Sequence, residues 1–163
     1  MAIKTGGRIP ASTVNMLNDG IEPISTQPFF AGRKILLFAV PGAFTPTCSN
    51  QHLPGYVQHL DDFERRNVTV ACMAVNDAFV MRAWADSQQV PESLVMLADG
   101  NGAFTRALGM EMDGSGFGMG HRARRFALYA EDGVVRILHL EAPGEFRVSS
   151  AEAMLQALDD MKL

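Results

Sequence analysis

Hydrophobic positions fall along the chain in two rhythms. Ile35–Val40 and Val68–Val75 are nearly unbroken apolar runs of strand length, the pattern of strands covered on both faces. Between them Leu53, Val57 and Leu60 recur at i, i+4 and i+7. That stretch closes on the polar Glu64, Arg65, Arg66 and Asn67, so the spacing predicts a strand, a helix and a strand. A further helix is predicted over Asp77–Ser87 around Phe79, Val80 and Trp84, then a short strand over Leu94–Leu97 and a short helix over Gly102–Leu108. Phe126–Ala130 and Val134–Leu140 flank Glu131-Asp132-Gly133, whose Asp-Gly pair signals a tight hairpin. Ser149 and Ser150 ahead of Glu152 form a capping arrangement for a last amphipathic helix, Ala153–Met161. Such alternation argues an α/β fold with helices on both faces of the sheet, and the hairpin makes that sheet mixed.

Composition narrows this to one domain, 1–163. With 163 residues, 47% of them hydrophobic, the chain can bury one core but is too short for two ordinary domains. A formal net charge of -4, with no basic run beyond the broken cluster Arg122, Arg124, Arg125, argues against nucleic acid as a partner. No apolar stretch approaches the roughly 20 residues that cross a bilayer, and the N-terminus lacks the apolar core of a secretory signal. A cytoplasmic protein without membrane contact is expected. Two cysteines, Cys48 and Cys72, make no disulfide framework and suit a reducing compartment. The histidines are scattered, with no metal-ligand spacing, so neither metal nor cofactor is expected. The glycines of Gly114–Gly120 fit no phosphate-binding pattern and read as a flexible loop.

The chemistry concentrates at Cys48, which follows the first apolar run and opens a segment of helical spacing. Thr45 is an allowed N-cap and Pro46 suits the first helical position, so the sulfur falls in the first turn. The N–H groups there lack intrahelical partners and favour an anion, which points to a nucleophilic or redox thiolate. The other reading, an inert structural cysteine, fits less well with flanking Thr47 and Ser49. His52, one turn on, is placed like the base of a Cys-His hydrolase. No third residue is evident in the sequence to orient it.

Pro41, Thr45 and Cys48 stand at the spacing Pro-x-x-x-Thr-x-x-Cys, which resembles the active-site motif of the peroxiredoxins. The full string Pro41-Gly42-Ala43-Phe44-Thr45-Pro46-Thr47-Cys48-Ser49 resembles the type II or type V branch. Val75–Val80, Leu97–Gly100 and Arg124–Leu128 are similar to that branch in kind and order, so the resemblance spans nearly the whole chain. It implies a thioredoxin-like fold with an N-terminal extension. It also implies a thiol peroxidase that reduces hydrogen peroxide and organic hydroperoxides through a sulfenic acid on Cys48, with glutathione, glutaredoxin or thioredoxin as reductant. By the same resemblance Thr45 hydrogen-bonds the peroxide, Arg125 holds the thiolate and polarises the peroxide, and Pro41 shields the sulfur and fixes the loop. Read without the family, Thr45 is a plain N-cap, Pro41 a strand terminator, and Arg125 one of three clustered arginines. A homodimer is implied, with Phe44 and Phe79 as interface residues, although apolar residues there also suit a core.

Cys72 decides how a sulfenic acid would be resolved. Animal members of the resembled branch carry a resolving cysteine late in the chain, where this sequence has Ser149 and Ser150 and no cysteine between Glu145 and Ala153. Plant and bacterial type II relatives have a cysteine near the position of Cys72. A helix of about 1.5 Å per residue leading away from Cys48, and a strand returning only part of that distance, would leave the two Cα atoms more than about 10 Å apart. That exceeds disulfide reach unless the helix start unwinds, which Pro54 makes conceivable. A buried strand thiol is the favoured reading of Cys72, with a small thiol or glutaredoxin resolving Cys48. A peroxide-sensing regulatory module on the same fold is the alternative function.

Overall fold

Nine strands and six α-helices alternate along residues 2–161, which the computed structural model describes. They are β1 (Thr13–Leu17), β2 (Ile21–Ser25), α1 (Thr26–Phe30), β3 (Lys34–Ala39), α2 (Leu53–Gln58), α3 (Leu60–Glu64), β4 (Thr69–Ala74), α4 (Ala78–Ser87), β5 (Val95–Ala98), α5 (Ala103–Leu108), β6 (Glu111–Asp113), β7 (His121–Ala123), β8 (Phe126–Glu131), β9 (Val134–Leu140) and α6 (Ala151–Asp160). Seven strands form one sheet in the order β2-β1-β5-β4-β3-β8-β9. The centre, β3, β4 and β5, is parallel, while β8 and β1 pair antiparallel on either side. This is the thioredoxin-like, mixed-sheet fold that the sequence and its resemblance predict.

Period-two alternation sorts the central strands onto two cores. Leu36, Phe38 and Val40 face a cluster with Leu53, Tyr56, Phe63, Trp84, Met154 and Leu158. Ile35, Leu37 and Ala39 face the opposite cluster with Phe30, Phe104 and Leu108. Both faces are thus buried, which is why these strands read as continuous apolar runs. The β8–β9 turn is the expected one: Asp132 and Gly133 both take positive φ, 49° and 75°, as a two-residue hairpin requires.

The structure departs from the expected elements in four places. The N-terminal extension is a hairpin, β1–β2, that joins the sheet through β1 and β5. Gly114–Gly120 is no loose loop: β6 and β7 pair into a short arm, closed by Gly114 N–H donating to Gly120 O at 2.6 Å. The last helix starts at Ala151, and Ser150 alone caps it, accepting from Ala153 N–H at 3.1 Å.

The predicted single helix after Cys48 is also broken. Residues Cys48–His52 form a π-helical turn with Leu53 N–H donating to Cys48 O, and a second break at His59 separates α2 from α3. Pro54 lacks an N–H and its ring crowds the preceding turn, so a widened turn accommodates it where a regular one does not. Among the described residues no helix is long and apolar enough to cross a membrane.

Candidate active site

The site lies at the carboxyl end of β3, where open α/β sheets present their loops. The chain leaves the sheet at Val40, turns through Pro41–Thr45 and enters helical backbone at Pro46. Three bonds set the turn. Ala43 N–H donates to Asn76 Oδ1 at 3.0 Å, Thr45 Oγ1 donates to Gly42 O at 2.7 Å, and Arg122 Nη1 donates to Pro41 O at 3.4 Å. A Cβ on Gly42 would stand 2.9 Å from Arg122 Nη1, so a larger residue here would push that guanidinium off the Pro41 carbonyl. Phe44 is held at φ 66°, a conformation uncommon for an aromatic residue. Thr45 occupies the N-cap position, but its hydroxyl donates backwards to Gly42 instead of accepting from the helix, which corrects the plain capping reading. With its proton so engaged, Thr45 Oγ1 offers lone pairs to an incoming O–H.

Cys48 is fully buried in the first turn of the helix. Trp84 Nε1 donates to Ser49 Oγ at 2.9 Å and ties that turn to α4. The decisive contact comes from the neighbouring strand. Arg125 precedes β8, and the antiparallel pairing of Ala39 with Phe126 brings it to the same end of the sheet as Cys48. Its Nη2 donates to Cys48 Sγ at 3.1 Å and its Nη1 donates to His52 Nδ1 at 2.7 Å. The three clustered arginines therefore separate: Arg125 reaches the sulfur, Arg122 pins Pro41, and Arg124 lines a cavity with Arg125. A guanidinium bridging sulfur and imidazole can stabilise negative charge on the thiolate and on an oxygen developing beside it.

His52 is where the sequence said least. It is fully buried, packed between Phe38 and Phe146 in tilted contacts at ring distances of 4.9 Å each, and its Nε2 lies 3.0 Å from Ser149 O. The carbonyl can only accept, so Nε2 carries the proton and Nδ1 is left to accept from Arg125. Burial, with the Arg125 charge adding, drives its pKa down from 6.5 to about 3. It is thus a neutral acceptor that holds Arg125, not a base. Sequence spacing placed His52 on the face of Cys48; the orienting residue, Ser149, lies 97 positions away.

This burial has a stability signature. Unfolded His52 titrates near pH 6.5 and the folded group only near 3, so the unfolded state takes the proton first. Stability is full above pH 6.5 and falls on acidification below it, by at most about 1.4 kcal/mol per pH unit. Urea midpoints of the wild-type protein should decline from pH 7 to 5, while those of His52→Gln stay flat over that window. A flat wild-type profile contradicts the burial of a neutral imidazole.

A cavity of about 590 Å³ opens beside these groups, lined by Pro41, Thr47, Met112, Arg125, Pro143 and Phe146 among others. Cys72 stands elsewhere in the same core. It sits mid-strand on β4, paired with Phe38 and Met96, fully buried and free. Burial pushes its thiol well above the ordinary range, and the charge of Cys48 adds to that. The buried strand thiol of the sequence reading is what the structure holds. Phe44 and Phe79, open between core and interface, are 56% and 60% exposed. Among the described residues no group of three or more His, Cys, Asp or Glu side chains is placed to hold a metal ion.

Comparison with known proteins agrees in family and in fold. The Redoxin family pattern matches residues 4–155. Peroxiredoxin-2E-2, chloroplastic, of Oryza sativa subsp. japonica is 48% identical over 163 residues, covering 96% of this chain and 72% of its own. Peroxiredoxin-2B of Arabidopsis thaliana is 41% identical over 159 residues, covering 96% of this chain and 98% of its own. Among solved structures, reduced Prx3 of Vibrio vulnificus in complex with hydrogen peroxide superimposes with a TM-score of 0.92 at 48% identity, over 96% of this chain and 99% of that one.

Proposed function

The chain belongs to the peroxiredoxin family and is a thiol-dependent peroxidase, and from that premise we propose that Cys48 is its peroxidatic cysteine, served by Arg125, Thr45 and Pro41. The observation that carries the reading is the bidentate Arg125, one nitrogen on Cys48 Sγ and the other on His52. The Cys48 thiolate attacks the terminal oxygen of ROOH. The O–O bond breaks, sulfur keeps the OH as sulfenic acid, and the departing RO⁻ takes a proton to leave as water or alcohol. Arg125 stabilises the charge as it moves from sulfur to oxygen, and Thr45 Oγ1 accepts from the peroxide O–H. Pro41, its carbonyl tied by Arg122, walls the sulfur from bulk water. The alkyl part of an organic hydroperoxide fits the cavity wall of Met112, Pro143 and Phe146.

In the second half of the proposed cycle, glutathione attacks the sulfenic sulfur and releases water. A second thiol, on glutaredoxin or another glutathione, then frees Cys48. Thioredoxin is the alternative reductant. Supporting the external route are the buried, poorly ionised thiol of Cys72 in an interior strand and the serines at positions 149 and 150. Cys72→Ser should keep most of its turnover with glutathione and glutaredoxin, and the oxidised wild type should show a glutathione mixed disulfide at Cys48. A stoichiometric Cys48–Cys72 bond, with turnover lost in the variant, would make Cys72 the resolving residue.

The exposed rings of Phe44, in the turn before Cys48, and Phe79, in the first turn of α4, are the proposed homodimer surface; the Ala43–Asn76 bond joins the segments next to them. A reducing compartment, the cytoplasm in this reading, suits two free thiols.

A further inference from the structure

Glu141 takes no part in the chemistry above, yet it is a carboxylate only 3% exposed, just past the end of β9. Its oxygens accept from Arg147 N–H at 2.9 Å, Val148 N–H at 2.8 Å, Ser149 N–H at 2.8 Å and Ser149 Oγ at 2.7 Å. Burial by itself would raise its pKa, but the bonds from Ser149, Arg147 and Val148 outweigh it and hold the carboxyl below its ordinary range. Residues 141–149 thereby close into a loop around one buried anion.

That loop meets the active site at three points. Ser149 O accepts from His52 Nε2 at 3.0 Å and from Tyr56 OH at 2.8 Å. The Phe146 ring lies 4.9 Å from His52 and 5.8 Å from Arg125 Cζ. Glu141 N–H itself donates to Arg125 O at 3.0 Å. A continuous chain of bonds therefore runs from the Glu141 carboxylate through Ser149, His52 and Arg125 to Cys48 Sγ.

We propose that Glu141 is a positioning residue for peroxide reduction: its carboxylate fixes the Ser149 carbonyl, which fixes the His52 tautomer and so aims Arg125 at the sulfur. Arg125 can only donate, and it needs an acceptor at His52 Nδ1. The Ser149 carbonyl supplies that acceptor by keeping the proton on Nε2. If the carbonyl turns away, the imidazole is free to carry its proton on Nδ1. Two donors then face each other and the guanidinium leaves Cys48. The inference rests on the proposed role of Arg125, so its test must separate the two.

The test is a double-mutant cycle on the second-order rate of Cys48 oxidation by hydrogen peroxide, read by the fluorescence of the single tryptophan, Trp84. The proteins are wild type, Glu141→Gln, Arg125→Met and the double variant, with thermal midpoints to confirm folding. Glu141→Gln is expected to slow the wild type about tenfold and the Arg125→Met protein less than about threefold, because a guanidinium that is gone cannot be misaimed. A general loss of structure would slow both backgrounds equally, and that result, or a wild-type rate in Glu141→Gln, overturns the proposal. If Arg125→Met alone reacts at the wild-type rate, the reading of the site itself fails. Ser149→Ala, which removes one bond to the carboxylate and leaves the main chain, enters the same cycle should Glu141→Gln not fold. Its smaller slowing must likewise shrink in the Arg125→Met background, or the proposal falls.

Discussion

Peroxide turnover falls to the background of the reductants alone in Cys48→Ser, while the thermal midpoint stays close to wild type. The substitution is nearly isosteric, and the new hydroxyl can still accept from Arg125 Nη2, which lies 3.1 Å from the sulfur it replaces. The core around it, including Phe38, Leu53 and Tyr56, is unchanged. What disappears is the nucleophile: a serine hydroxyl stays protonated at neutral pH, and a neutral oxygen does not displace an alkoxide from peroxide. Peroxide consumption with glutathione and glutaredoxin measures the loss. Turnover that survives in this variant would remove Cys48 from the centre of the cycle.

The second large effect belongs to Arg125. Arg125→Met is expected to slow peroxide attack about 100-fold, the loss of roughly 3 kcal/mol of charge stabilisation at the transition state. Arg122→Met and Arg124→Met should each cost far less. Arg122 is bonded to the Met119 and Pro41 carbonyls, and Arg124 lines the cavity wall without a bond to the sulfur among the described contacts. Rapid mixing of each reduced variant with hydrogen peroxide gives the three rates side by side. Three equal, small effects would show that the contact between Arg125 and Cys48 does not direct the chemistry.

The central strands were legible because burial on both faces leaves them almost wholly apolar, and the β8–β9 hairpin because Asp132-Gly133 tolerates positive φ. The β1–β2 hairpin escaped for the opposite reason. As an edge, β2 is mostly exposed and carries Glu22 and Pro23, so its hydrophobic alternation is faint. The three-residue strands β6 and β7 are held by pairing, which leaves almost no periodic signal. The broken helix had its sign in Pro54, read as a possible weak point but not as a π-helical turn.

At the site, Pro41, Thr45 and Cys48 are close in sequence and share one turn, so a local motif finds them. Arg125 could be told from Arg122 and Arg124 only by register, since Ala39 opposite Phe126 is what brings it to Cys48. Glu141 and Ser149 bear on His52 through a main-chain carbonyl. A carbonyl carries no residue type, so no motif could have revealed it.

The account stands on Cys48 as the atom that meets peroxide. Reduced protein given one equivalent of hydrogen peroxide in the presence of a 1,3-dione trap, then digested and weighed by mass spectrometry, tests this directly. The trap should appear on Cys48 in near-stoichiometric yield, with Cys72 unmodified in the same molecules. Peroxide consumed with the adduct on Cys72, or with Cys48 still a free thiol, would contradict it.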